Sequence, residues 1–265
     1  MENNEPILQL HNVTIEAGGR PLVKEISFSV HKEEIFVIVG ASGSGKTTIL
    51  KAAAGILSRG VTQTGGTISF CGQVLRDADK IKLWQSHAVQ YVFQDALSSF
   101  CLVYSIRQQL WDAVGKDGKL SRQEFNELTD ERASLLDLSP DALNLYPQEL
   151  SGGMVQRAQL LFSMLRPPVL AFADEPTSAV DSVTQKKMAD ALLRVRKYHK
   201  MSLVLVTHDI RLARYMADTL MVLKDGVIQE IGPAAQVIAS PKSSYTQMLL
   251  ERCGIGEKEE TSYVS

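Results

Sequence analysis

The stretch GASGSGKTT, residues 40–48, places Gly40, Gly45, Lys46 and Thr47 at the spacing G-x-x-x-x-G-K-[ST]. Glycines let the backbone curl until successive N–H groups face one anion, and the N-terminus of a following helix adds its dipole. The N–H groups in question belong to Gly40, Ser42, Gly43, Ser44, Gly45, Lys46, Thr47 and Thr48. Lys46 is placed to reach the β- and γ-phosphates of a nucleoside triphosphate, and the Thr47 hydroxyl to coordinate Mg2+. A Gly/Ser turn that binds nothing would not need an apolar run before it and a helical pattern after it, and both are present.

Further residues fit the same chemistry. VLAFADEP, residues 169–176, ends an apolar run in Asp174 and Glu175. A carboxylate at the C-terminal end of a buried parallel strand faces the ligand crevice of an open α/β sheet. There Asp174 would hold Mg2+, directly or through water, and Glu175 would polarise an attacking water as general base. LVLVTHD, residues 203–209, ends a second such run in His208, which falls on the same sheet edge for a γ-phosphate contact. Taken singly, these are a solvated strand end and a structural histidine; beside the phosphate loop the catalytic reading is the stronger one. ELSGGMVQRAQ, residues 149–159, then opens another helix on Ser151, Gly152 and Gly153. One nucleotide needs one cradle, so this second Gly-Gly turn requires another role.

The elements that must carry these groups are legible as alternation. IFVIVG (35–40), VLAFAD (169–174) and SLVLVTHD (202–209) are continuous apolar runs, suited to strands buried on both faces of a parallel sheet. ILQLHNVTIE (7–16) and ISFSV (26–30) alternate as half-exposed antiparallel strands do. DTLMVLKDGVIQEIG (218–232) reads as a hairpin turning at Asp225-Gly226. Helical patterns cover residues 45–57, 154–165, 182–197 and 210–217. Residues 95–165 show no strand pattern, only helical periodicity and polar linkers, which predicts a helical subdomain inserted into an α/β core. Residues 251–265, which end in GEKEETSYVS (256–265), read as a disordered polar tail.

Composition sets the bounds. The chain has 265 residues, enough for a full core, and is 45% apolar and 22% charged, as a globular protein is. A net charge of −2 gives no reason to expect nucleic acid as a partner. Cys71, Cys101 and Cys253 are widely spaced, which predicts neither a zinc site nor a disulfide framework and fits a reducing cytoplasm. The N-terminus MENNEPILQL lacks a signal-peptide pattern, and no apolar run approaches the roughly 20 residues of a membrane span.

The set and order of GASGSGKTT, YVFQD, LSGGMVQR, LAFADEP, SAVD and VTHD resemble the ATP-binding subunits of ABC transporters, over about residues 7–250. The resemblance implies a P-loop NTPase core, with a RecA-like sheet and an antiparallel β subdomain over about residues 1–94 and 166–240. The helical subdomain would occupy about residues 95–165. It also implies a Mg2+-dependent ATPase coupled to transport, and it answers the question of the second Gly-Gly. In that family LSGGMVQR is the signature motif, and it closes over the ATP held by a second subunit packed head to tail. Ser151, Gly152, Gly153 and the helix N-terminus would therefore meet a γ-phosphate belonging to the partner. Gln94 would touch Mg2+ and the attacking water, and Asp181 would help form the opposite site. The segment ALSSFCLVYSI, residues 96–106, would meet a membrane partner; its Phe100 and Leu102 read equally as partner-facing or as subdomain core.

Within the family the best likeness is to the nickel, dipeptide and oligopeptide importer branch, carried by GILSRGVTQTGGTI, YPQELSGGMVQR and SPKSSYTQMLL, with nickel-type subunits nearest. Ala17 stands where many members stack adenine on an aromatic ring, and Cys101-Leu102 where relatives commonly show Asn-Pro. The expected partners are a second ATP-binding subunit, with a heterodimer favoured over a homodimer, two transmembrane permease subunits and an extracytoplasmic substrate-binding protein. The expected location is the cytoplasmic face of the cell membrane. A non-hydrolysing regulatory partner is the competing role, and the presence of Glu175 and His208 weighs against it. One motif set without a coiled coil disfavours a translation or DNA-repair ATPase.

Overall fold

The computed structural model describes residues 5–76, 79, 82–84, 86–93, 95–117, 120–176 and 182–255. The chain divides into two compact units, Met1–Ile81 with Ser202–Ser265, and Lys82–Met201.

In the first unit, β1 (Leu8–Ala17) pairs antiparallel with β2 (Arg20–Val30) and with β4 (Val61–Phe70), and β5 (Gln73–Val74) extends that sheet. One face is packed and the other wet, so Leu8, Leu10, Val13 and Ile15 are buried while Gln9 and His11 are exposed. β3 (Ile35–Val39) lies parallel to both β8 (Ser202–Thr207) and β9 (Thr219–Lys224). Every residue of β3 and β8 is buried, as their unbroken apolar sequences require. Asp218 fixes the start of β3 by accepting the Ile35 N–H at 2.8 Å. β10 (Val227–Pro233) returns antiparallel to β9 through Asp225 and Gly226, whose φ values of 50° and 76° suit a tight hairpin turn. Helix α1 (Lys46–Ala54) buries Ile49, Leu50 and Ala52 to Ala54. It ends earlier than residue 57 because Gly55, at φ 75°, turns the chain left-handed and caps it.

In the second unit, β6 (Val89–Val92) and β7 (Leu170–Asp174) are parallel and wholly buried. Around them stand α2 (Ile106–Val114), α3 (Arg122–Leu135), α4 (Gly152–Leu165) and α5 (Ser182–His199). Ser121 and Glu124 form a capping box that starts α3. Phe125, fully buried, meets the Trp111 ring edge-on at 5.1 Å. Among the described residues from 95 to 165 there is no strand, in line with the helical pattern. Back in the first unit, α6 (Ile210–Met216), α7 (Ala234–Ala239) and α8 (Ser244–Arg252) complete the chain. The polar tail from residue 256 lies outside the described residues.

Candidate functional site

The first unit brings the phosphate loop and His208 to one sheet edge. Val39 is the register partner of Thr207, so Gly40 and His208 both leave the C-terminal ends of neighbouring parallel strands. Gly43 and Gly45 have φ of 78° and 101°, conformations that side-chain-bearing residues rarely adopt. A Cβ on Gly45 would press against the Leu22 carbonyl oxygen at 3.0 Å. The β9–β10 turn braces the loop, because the Gly226 N–H donates to the Ser44 carbonyl at 3.0 Å. Gly226 must be bare, since a Cβ there would run into the Leu22 carbonyl. Lys46 is buried, and its Nζ donates to the Gly40 and Ala41 carbonyls at 2.9 Å each. Ser42 and Gly43 are exposed at the tip, and Thr47 and Thr48 are half-buried. His208 is exposed, just ahead of Asp209, which caps α6.

A polyphosphate fits this cradle. Lys46 is buried, with its ammonium held among carbonyls of the loop itself, where it can face a phosphate. Among the described residues the buried Ser44 hydroxyl has no hydrogen-bond partner, and Gly43 leaves the loop tip open to close approach. Among the described residues no cluster of three or more His, Cys, Asp or Glu could hold a metal alone. Mg2+ needs none, because it is commonly held by one or two carboxylates together with substrate phosphates.

The second unit assembles the carboxylates. Val92 is the register partner of Ala173, so Phe93 and Asp174 leave one edge together. Asp174 is 6% exposed, and its Oδ2 accepts from the Tyr91 hydroxyl at 2.9 Å. Burial, with the Asp174 carboxylate alongside, pushes the Tyr91 phenol far above its ordinary range, so it stays protonated and donates. Glu175 is half-buried at φ 44°, a left-handed conformation that costs a non-glycine residue about 1 kcal/mol. Gln94 and Asp181 lie outside the described residues.

The signature motif opens α4. The helix begins at Gly152, not Met154, because the Ser151 hydroxyl accepts from the Met154 N–H and makes Gly152 and Gly153 its first two residues. Ser151 and Gly152 are exposed. Gly152 has no positive φ, and a Cβ there would meet nothing within 4 Å. No described residue of this chain crowds that position. Sequence reading missed two side chains in this unit, Tyr91 and Gln156. Gln156 Nε2 donates to the Pro176 carbonyl at 2.8 Å, tying the signature helix to the residue after Glu175. Both sit inside motifs already singled out, but their partners are distant in sequence.

Past residue 94, the segment before α2 is exposed and apolar. Leu102 is 48%, Val103 70% and Tyr104 53% exposed. Gln109 holds the segment by accepting the Cys101 N–H at 2.7 Å and donating to the Cys101 and Tyr104 carbonyls at 2.8 Å each. Phe100 is half-buried and lines a cavity of about 410 Å³ together with Trp84, Leu110, Phe162, Gln109 and Gln159.

Comparison with known proteins agrees with this arrangement. The ABC transporter family model matches residues 23–178, more than half of the chain. A nickel import ATP-binding protein of Brucella abortus is 32% identical over 237 residues, covering 89% of each chain. A dipeptide transport ATP-binding protein of Haemophilus influenzae is 33% identical over 252 residues, covering 92% of this chain and 76% of the relative. A metal-staphylopine import ATP-binding protein of Staphylococcus aureus is 29% identical, covering 87% of this chain and 86% of the relative. Among solved structures, the ATP-binding cassette dimer bound to ADP and phosphate aligns at TM-score 0.73 and 25% identity, over 86% of this chain and 98% of that one. CbiO1 of Clostridium perfringens aligns at TM-score 0.78 and 22% identity, over 94% and 98%, and shares the fold. The chain therefore has the α/β P-loop NTPase fold and belongs to the ABC transporter family, as an ATP-binding subunit of the importer branch that hydrolyses ATP with Mg2+.

Proposed function

We propose that this subunit energises the import of nickel, free or chelated. The observation that carries the reading is its similarity, over nearly nine-tenths of both chains, to a nickel import ATP-binding protein. The metal-staphylopine relative supports a chelated form. The dipeptide relative favours a second reading, import of di- or oligopeptides. The cargo meets the permeases and an outside binding protein; this chain supplies the work.

In this reading the backbone N–H groups of residues 40–48 cradle the phosphates, and Lys46 neutralises their charge. Thr47, Asp174 and Gln94 hold Mg2+, which when bound offsets charge on the β- and γ-phosphates. Glu175 takes the proton of the attacking water, and His208 contacts the γ-phosphate. Ser151, Gly152, Gly153 and Asp181 serve the nucleotide of a second ATP-binding subunit, so that ATP closes the pair and loss of the γ-phosphate releases it. Residues 95–165 act as the helical subdomain, and the exposed Leu102, Val103 and Tyr104 meet a permease. Two permeases hold the pair at the cytoplasmic face of the membrane; among the described residues no helix is long and apolar enough to cross one.

The test is uptake of radiolabelled Ni2+ and of a labelled dipeptide by cells carrying the wild type or Lys46→Ala. Nickel uptake should collapse in the variant while dipeptide uptake is unchanged. The reverse pattern would transfer the assignment to peptides.

A further inference from the structure

Tyr91 sits in β6 with its ring 4% exposed and packed against Phe93, the ring centroids 4.7 Å apart. Its register partner in β7 is Phe172, so Asp174, two residues on, projects to the same face of the strand pair as Tyr91's neighbour. The tyrosine hydroxyl reaches diagonally across to Asp174 Oδ2 at 2.9 Å, in a fully buried hydrogen bond. Packing alone would be satisfied by a phenylalanine. The hydroxyl adds one thing, a fixed rotation for a carboxylate at the very end of a strand, where the backbone turns left-handed at the next residue.

We propose that Tyr91 is a positioning residue for the Mg2+ site, its hydroxyl holding the Asp174 carboxylate in the orientation that receives the cation. This rests on the reading of Asp174 as a Mg2+-holding residue. A carboxylate that binds a metal must be set at the right angle before the metal arrives, and the groups that set it commonly account for 10- to 100-fold in affinity. The bond is made away from water, where a hydrogen bond is electrostatically stronger than in solvent. Removing the hydroxyl keeps the carboxylate and takes away one hydrogen bond that orients it. The expected loss is therefore in metal affinity and not in nucleotide affinity.

The experiment compares wild type, Tyr91→Phe, Tyr91→Met and Asp174→Asn as the purified full chain. Mn2+ binding is followed by the electron paramagnetic resonance of free Mn2+ in the presence of a non-hydrolysable ATP analogue. Analogue binding in EDTA reports the fold and the phosphate loop separately. Mn2+ affinity should fall about 10-fold in Tyr91→Phe and Tyr91→Met, with analogue binding in EDTA unchanged. In the assembled transporter the Mg2+ concentration for half-maximal turnover should rise by the same factor, with turnover at saturating Mg2+ restored. Mn2+ affinity within twofold of wild type in either folded tyrosine variant, while Asp174→Asn loses binding, would overturn the role of Tyr91. Unchanged Mn2+ binding in Asp174→Asn would instead overturn the assignment of Asp174, and the inference with it.

Discussion

Gly40 begins the phosphate loop and Gly152 opens α4, and a Cβ would meet opposite surroundings at the two places. A Cβ on Gly40 would run into the Leu223 carbonyl oxygen and come within 2.9 Å of Ser44 Oγ. Gly40→Ala should therefore overpack the loop and cost about 1–3 kcal/mol of stability, read as a lower melting temperature. A Cβ on Gly152 would meet nothing. Gly152→Ala should melt within about 0.5 kcal/mol of the wild type and still lose most ATP turnover in the assembled transporter. Full turnover in that variant would show that no partner nucleotide approaches there. The residue types at both places were legible in the sequence, because G-x-x-x-x-G-K-[ST] and Ser-Gly-Gly are local patterns. The reason each glycine is needed was not, since the obstruction at Gly40 comes from a strand more than 180 residues away. The same holds for Tyr91, whose partner Asp174 lies 83 residues further on.

At the scale of elements, α4 (Gly152–Leu165) is the fixed point of the second unit. Three polar side chains on it reach three other segments. Gln156 donates to the Pro176 carbonyl, Gln159 to Ser99 Oγ at 3.1 Å, and the Ser163 hydroxyl to Gln90 Oε1 at 2.7 Å. All three are buried, so each bond is expensive to leave unmade. Gln156→Ala should cost about 1–3 kcal/mol and slow ATP turnover, because the Pro176 carbonyl that it holds is next to Glu175. Thermal melting and phosphate release check both, and no change in either would mean that the bond positions nothing. Strongly periodic helices and unbroken apolar strands were readable from sequence to within a few residues. Strand β4 (Val61–Phe70) was not read, because Gly65-Gly66 interrupts its alternation. Its pairing with β1 slips between His11 and Thr14, and a Cβ on Gly66 would run into the His11 and Asn12 carbonyls. The two glycines mark a bulge set by a strand fifty residues away.

At the scale of the whole molecule, motif order carried more information than composition. A net charge of −2 with 45% apolar residues fits many soluble folds. The order of phosphate loop, signature, acidic strand end and histidine fits the ABC transporter family, which the family match bears out. What could not be read from composition or motif was cargo, since relatives named for nickel, dipeptide and metal-staphylopine import all stand near 30% identity. This chain hydrolyses ATP for a transporter, and Glu175 is the base we propose for it. The most direct test is to assemble the transporter with Glu175→Gln, load it with ATP and Mg2+, and analyse the bound nucleotide by chromatography after many wild-type turnover times. Loss of a general base lowers a rate by about 100-fold or more. The expected result is intact ATP retained in a closed complex. Conversion of all bound ATP to ADP at the wild-type rate would contradict the claim.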